Sequence, residues 1–205
     1  MRTRAAAATA ALLLAALTAC GGGDDDDSTK PAAAPTPSAS EASPSAEPEK
    51  TLGLGDPART TGDGGTGVLQ ITPDTIVFTK TASGETAANG VFVVVTMKDK
   101  AMTAVAADEV PPITGGGWKW MAPDGEMIAF DSGNSSSVTM DKYDNADPVQ
   151  PGGYQWRAQV FDLTPAQAKG GTLIYIDGEE KAFRWKMPAA DSGPSVAEVK
   201  KQLAS

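Results

Sequence analysis

Across residues 52 to 188 the apolar side chains come in runs of strand length, and glycine or proline closes nearly every run. The clearest is residues 90–97, Gly-Val-Phe-Val-Val-Val-Thr-Met. β-Branched and aromatic side chains fit a pleated surface well, so this run predicts a central strand. No stretch of the region keeps a long 3.6-residue period. Many short strands punctuated by turn residues fold as two packed antiparallel sheets, because each sheet has one face to bury. About 135 residues supply enough volume for one such core. The single cysteine, Cys20, allows no intrachain disulfide, so packing alone must hold the fold.

Further strands are expected at 68–71 and 75–78, with Pro73-Asp74 as a bend or a switch between sheets. Residues 102–106, 118–121, 127–130 and 138–140 are additional candidates, the last two bracketing the loop that starts at Asp131. Residues 154–162 alternate, which predicts Tyr154, Trp156, Ala158 and Val160 inward and Gln155, Arg157 and Gln159 outward. Asp177-Gly178 between 172–177 and 181–186 signals a hairpin. Thr164-Pro165-Ala166-Gln167 has a capping hydroxyl, a first-position proline and a third-position glutamine, which predicts one helical turn crossing between the sheets. Ser195 and Glu198 read as a second capping box, with Val196, Val199 and Leu203 on one face of a short tail helix.

Ahead of this domain, Arg2 and Arg4 precede an apolar stretch at residues 5–17. That order is a secretory signal peptide, well short of the ~20 residues that span a bilayer. Leu17-Thr18-Ala19-Cys20 resembles the lipobox of bacterial lipoproteins. The resemblance implies a diacylglycerol on the Cys20 sulfur, cleavage just before it, and attachment to the extracytoplasmic face of the cell membrane. Two acyl chains make such an anchor stable, where one is marginal. Residues 1–19 are thus the signal peptide. Residues 20–60 are the lipidated cysteine and a Pro/Ala/Ser/Asp-rich tether, whose composition cannot offset the entropy of ordering. The acidic run Asp24 to Asp27 reads as a solvated spacer.

The layout from Tyr154 to Lys186 is familiar. An alternating strand ends in Phe161-Asp162-Leu163, a one-turn crossover follows, then residues 171–175 (Gly-Thr-Leu-Ile-Tyr), then Phe183-Arg184-Trp185. With residues 90–95 and Asp124-Gly125 upstream, residues 64–188 resemble the immunoglobulin-like domain of unknown function of Gram-positive lipoproteins, which is similar to a secreted mycobacterial immunogenic antigen. The resemblance implies an all-β, immunoglobulin-like antiparallel β-sandwich of about seven or eight strands, with a short crossover helix and a short C-terminal helix. It implies an extracytoplasmic setting and carries over no catalytic residue. The sandwich is expected over 61–190 and the tail over 191–205. The polar insert at 141–153 departs from the pattern.

Chemistry is bounded by what the chain lacks. There is no histidine, which removes Ser-His-Asp and Cys-His schemes, the usual zinc centres and a neutral-pH histidine switch. From residue 51 onward 13 basic face 19 acidic side chains with no basic cluster, so nucleic acid is not an expected partner. Met97, Met121, Met127 and Met140 read as core rather than copper ligands, since no histidine or cysteine joins them. Asp141, Asp144, Asn145 and Asp147 make an oxygen-rich loop that is the candidate calcium site, although its spacing lacks the EF-hand pattern. Asp131 beside Phe130 and Asp162 beside Phe161 are the candidates for a two-carboxylate glycosidase, and capping of strand ends explains both more simply.

Trp118 and Trp120 share a strand face after three glycines; they read either as core filling or as an exposed ligand or partner surface, which makes them the candidate ligand-binding residues, while Trp156 and Trp185 read as core filling. The expectation is a monomeric, cofactor-free, non-enzymatic cell-surface lipoprotein. Its partners are the membrane, through Cys20, and a cell-envelope protein or glycan. Two alternatives stand beside it, a sugar- or peptide-binding accessory lipoprotein using the aromatic face and a carboxylate-based hydrolase.

Overall fold

The valine run at residues 91–95 sits in the middle of a sheet and has protein on both sides. The computed structural model describes residues 51–205. In chain order its strands are β1 (Leu52–Gly53), β2 (Ala58–Thr61), β3 (Val68–Thr79), β4 (Thr81–Ala82), β5 (Glu85–Thr86), β6 (Val91–Ala101), β7 (Gly117–Met121), β8 (Met127–Ala129), β9 (Tyr154–Leu163), β10 (Thr172–Ile176) and β11 (Ala182–Lys186). The helices are α1 (Pro165–Ala168) and α2 (Val196–Leu203). One sheet has the order β2-β3-β6-β9 and is antiparallel throughout. The other has the order β1-β11-β10-β7-β8, antiparallel except for the parallel β1–β11 pair. β4 and β5 form a small separate hairpin.

Residues 51–205 therefore form an all-β sandwich. Leu69, Ile71, Val93, Val95, Met97 and Phe161 of the first sheet meet Trp118, Trp120, Leu173, Tyr175 and Trp185 of the second. A second apolar cluster covers the outer face of the first sheet, where Val77, Phe92 and Val94 lie under Val199 and Leu203 of α2 and under Met140 and Tyr143. Burial on both faces explains why β6 is apolar without alternation.

Several expectations hold. The crossover helix α1 carries the full capping box: Thr164 Oγ1 accepts from Gln167 N, and Gln167 Oε1 accepts from Thr164 N at 2.9 Å. β10 and β11 form the hairpin, closed by Asp177 N donating to Lys181 O. The tail helix packs its Val199 and Leu203 face on the sheet.

Others need correction. Pro73-Asp74 is no switch between sheets; β3 runs on in one sheet, with a bulge that shifts its register against β6 between Pro73 and Thr75. A bulge accommodates the extra residue locally, at a point beyond the end of β2. Residues 102–106 and 138–140 are not strands. Ser195 makes no side-chain cap; its N–H donates to Thr75 Oγ1, which fastens α2 to β3. Met127 is 48% exposed on the short edge strand β8 and Met121 is half-buried, so of these four methionines Met97 and Met140 are core. The boundary at 61 leaves out β1 and β2, and the boundary at 190 leaves out α2, yet all three are part of the packed unit. The two main sheets hold nine strands, more than the seven or eight expected.

The phase of β9 is reversed. Arg157 pairs with Met97 of β6, and both point between the sheets. Trp156, Ala158 and Val160 instead join the outer cluster under α2, and Tyr154 is 57% exposed. The signal peptide, Cys20 and the tether up to residue 50 lie outside the described residues.

Candidate functional site

Trp118 and Trp120 do share a face of β7, but it is the inner one. They are 2% and 0% exposed. The Trp118 ring lies 4.8 Å from Tyr175 and 5.9 Å from Trp185, and Trp120 lies 5.8 Å from Phe161 with its Nε1 donating to Gln167 O at 2.9 Å. The preceding glycines serve close approach rather than display: a Cβ on Gly116 or Gly117 would collide with Val110 or its carbonyl. Of the two readings of this pair, core filling is the one that their burial supports. Trp185 is fully buried as expected, with Nε1 donating to Asp56 O, whereas Trp156 is half-buried.

The candidate calcium loop lies at the surface. Asp141, Asp144, Asn145 and Asp147 are all exposed. Asn145 Nδ2 donates to Lys142 O and Trp156 O, and Asp147 uses its backbone carbonyl to accept from Arg157. The loop is a strap stapled to β9, and among the described residues no three His, Cys, Asp or Glu side chains are grouped to hold a metal. Asp162 is buried and holds three backbone N–H groups, those of Ala88, Asn89 and Asn134, at 2.7–2.9 Å. Gly133 (φ 59°) must be glycine there, since a Cβ would run into the Asp162 carboxylate.

The arrangement that sequence reasoning missed surrounds Arg157. β6 brings Asp99 to the inner face two residues past Met97, β9 brings Arg157 opposite Met97, and a segment at 107–112 brings Asp108 and Glu109. That segment is pinned at three points. Ala107 pairs with Val149, the Asp108 carbonyl accepts from Asp63 N, and Val110 N donates to the Tyr175 hydroxyl. Arg157 Nη2 lies 2.8 Å from Asp108 Oδ1, Nη1 3.6 Å from Glu109 Oε2, and Nε 3.7 Å from Asp99 Oδ2. The side chains of Arg157, Asp99 and Glu109 are 8%, 0% and 9% exposed.

Three carboxylates around one guanidinium leave an excess of negative charge in a place poor in water. Burial, then the neighbouring Glu109 carboxylate, pushes the Asp99 carboxyl well above the usual aspartate range, against the pull of Arg157. Burial works against the Arg157 charge, but Glu109, Asp99 and Asp108 outweigh it and hold the guanidinium ionised. Six buried side-chain polar atoms lack a hydrogen-bond partner among the described residues, and all but the Tyr143 hydroxyl belong here: both Asp99 oxygens, Glu109 Oε1, Trp118 Nε1 and Arg157 Nε. Such groups are scarce in folded proteins, so their concentration at one place is informative.

A cavity of about 300 Å³ opens beside them, lined by Asp108, Glu109, Trp118, Phe130 and Arg157 with Pro111 and Pro112 at its side. Asp99 does not line it and lies behind the guanidinium. A larger cleft of about 480 Å³ adjoins α1, lined by Phe78, Val91, Pro165 and Ala168. None of the unpartnered atoms belongs to a residue lining that cleft. Among the described residues no helix is long and apolar enough to cross a membrane. The sandwich and the Arg157 cavity define the class only as a β-sandwich with a part-buried ionic cavity. No family model matches the chain, and no curated protein or solved structure matches it either.

Proposed function

We propose that this chain is a non-enzymatic lipoprotein, held at the extracytoplasmic face of the cell membrane through Cys20, whose immunoglobulin-like sandwich binds a ligand in the Arg157 cavity. One observation carries the binding half of this reading: Glu109 and Trp118 line one cavity, and each has a buried polar atom, Oε1 and Nε1, that no N–H or carbonyl of the described residues meets. An unsatisfied buried polar group costs roughly 1–3 kcal/mol, and a site that must meet a ligand is where such a cost is retained. The anchoring half rests on the order of Arg2, Arg4, the apolar 5–17 stretch and Leu17-Thr18-Ala19-Cys20. A two-carboxylate hydrolase is disfavoured at this cavity, because Asp99, the carboxyl there that burial raises, has no exposed surface and a general acid must reach its substrate.

Two measurements test the two halves. Wild type grown with labelled palmitate takes up label and sediments with membranes, and Cys20→Ala does neither; equal labelling of the two proteins overturns the anchor. For binding, thermal unfolding of the full chain in detergent is followed against sugars, peptides and amines. A saturable rise in Tm that Glu109→Gln abolishes supports the site. No rise with any of the three classes overturns it.

A further inference from the structure

We infer that the Arg157 cavity takes an organic cation that carries N–H donors, a primary ammonium or a guanidinium on a short apolar stem. The inference rests on the binding reading above and names the chemistry of its ligand. Charge is the first argument. Asp108 and Glu109 both line the cavity, Asp99 stands behind, and Arg157 is the one cation among them. An anion entering here meets two carboxylates, and the guanidinium it would seek is already engaged with Asp108 at 2.8 Å and with the Asp147 carbonyl at 2.7 Å.

Hydrogen bonding is the second argument. The Glu109 side chain is more than nine-tenths buried, and no N–H among the described residues reaches its Oε1; the one group hydrogen-bonded to the side chain there is the Asp99 carboxyl. A carboxylate oxygen in that state is satisfied by an N–H, and a charged donor gives the stronger bond. The third argument is the wall. Phe130, Pro111 and Pro112 offer apolar surface to a stem and an aromatic ring beside a cation, while the volume of about 300 Å³ limits the guest to a small group or one end of a larger molecule. A bare metal ion fits less well, because the guanidinium lies among the carboxylates and no three of them are grouped for coordination.

Isothermal titration calorimetry of the full chain in detergent tests this with probes of one stem length: butylammonium, butyltrimethylammonium, butanol and butanoate. Butylammonium is expected to bind saturably, at least tenfold more tightly than the other three, and Glu109→Gln is expected to weaken it at least tenfold. Phe130→Ala, at the edge of the core, is the second variant and is expected to weaken it severalfold with the fold intact by circular dichroism. A short peptide with a free amino terminus is run beside its acetylated form. Tighter binding of the free-ended peptide than of butylammonium makes a polypeptide the source of the cation, and the reverse order makes it a free amine. Equal binding of butyltrimethylammonium removes the N–H requirement and overturns the inference. Preferential binding of butanol or butanoate overturns it too, while leaving the cavity a binding site. Binding of none of the probes, with Tm unmoved by any ligand, overturns both readings and makes the cluster a hydrated structural one.

Discussion

Arg157 Nη2 lies 2.8 Å from Asp108 Oδ1, and through that contact strand β9 holds the segment at 107–112 against the end of the sandwich. The same side chain faces Asp99 and Glu109, so one guanidinium offsets three carboxylates from two parts of the chain. Breaking a buried ion pair on one side leaves charge without compensation, at a typical cost of 3–5 kcal/mol. Arg157→Met should destabilise the protein by about 4 kcal/mol in urea denaturation, and adding Asp99→Asn should recover part of that loss. A loss under about 1 kcal/mol would mean that the cluster contributes little to the fold.

Asp99 sets a pH dependence whose sign follows from its raised folded value. A carboxyl that titrates higher in the folded state favours folding while protonated. That contribution is complete below the ordinary aspartate range and is lost as pH rises through the higher folded value. Wild type should therefore lose stability relative to Asp99→Asn as pH is taken upward from about 4, where the unfolded carboxyl titrates. Urea midpoints of the two proteins measured across that range check it, and parallel curves would contradict the assignment.

Much of the architecture was legible because its signals are local. The capping box of Thr164 and Gln167, the hairpin at Asp177 and the valine run of β6 each rest on neighbours in sequence. β9 was misread because alternation reports only which face is more apolar. Here the outer face is covered by α2 and the 140–143 turn, so Trp156, Ala158 and Val160 are apolar without facing the other sheet. The ionic cluster was hidden for a related reason. Asp99, Glu109 and Arg157 each look like solvated residues, and only the pairing of β6 with β9 and the docking of the segment at 107–112 bring them together. The one available signal was Asp99 itself, in phase with Val93, Val95 and Met97 on the inner face.

Trp120 is fully enclosed, and the Gly171 backbone lies against its ring so closely that a Cβ would collide with it. Trp120→Ala should cost about 3–5 kcal/mol, the usual range for removing a large buried aromatic. Gly171→Ala should also destabilise, through collision rather than a cavity. Acrylamide should quench little of the native fluorescence, and Trp156→Phe should remove most of what it does quench, since Trp118, Trp120 and Trp185 are at most 2% exposed. Strong quenching that persists in that variant would place the other indoles at the surface.

Asp162 gathers the N–H groups of Ala88, Asn89 and Asn134, so one carboxylate fixes two loops to the end of β9. Asp162→Ala should cost about 3 kcal/mol, in line with charge-assisted bonds whose partly buried donors are then left unpaired. Amide hydrogen exchange at Ala88, Asn89 and Asn134 should quicken in that variant before exchange in β6 does.

Trp118 Nε1 reports on the cavity directly, because it is the buried indole N–H there with no acceptor, whereas those of Trp120 and Trp185 are bonded to the carbonyls of Gln167 and Asp56. Its ¹H–¹⁵N resonance, followed in the full chain in detergent micelles during titration with butylammonium, should move saturably while the resonances of Trp120 and Trp185 stay in place. A Trp118 signal that does not move, or three signals that move together, would contradict a ligand site at Arg157.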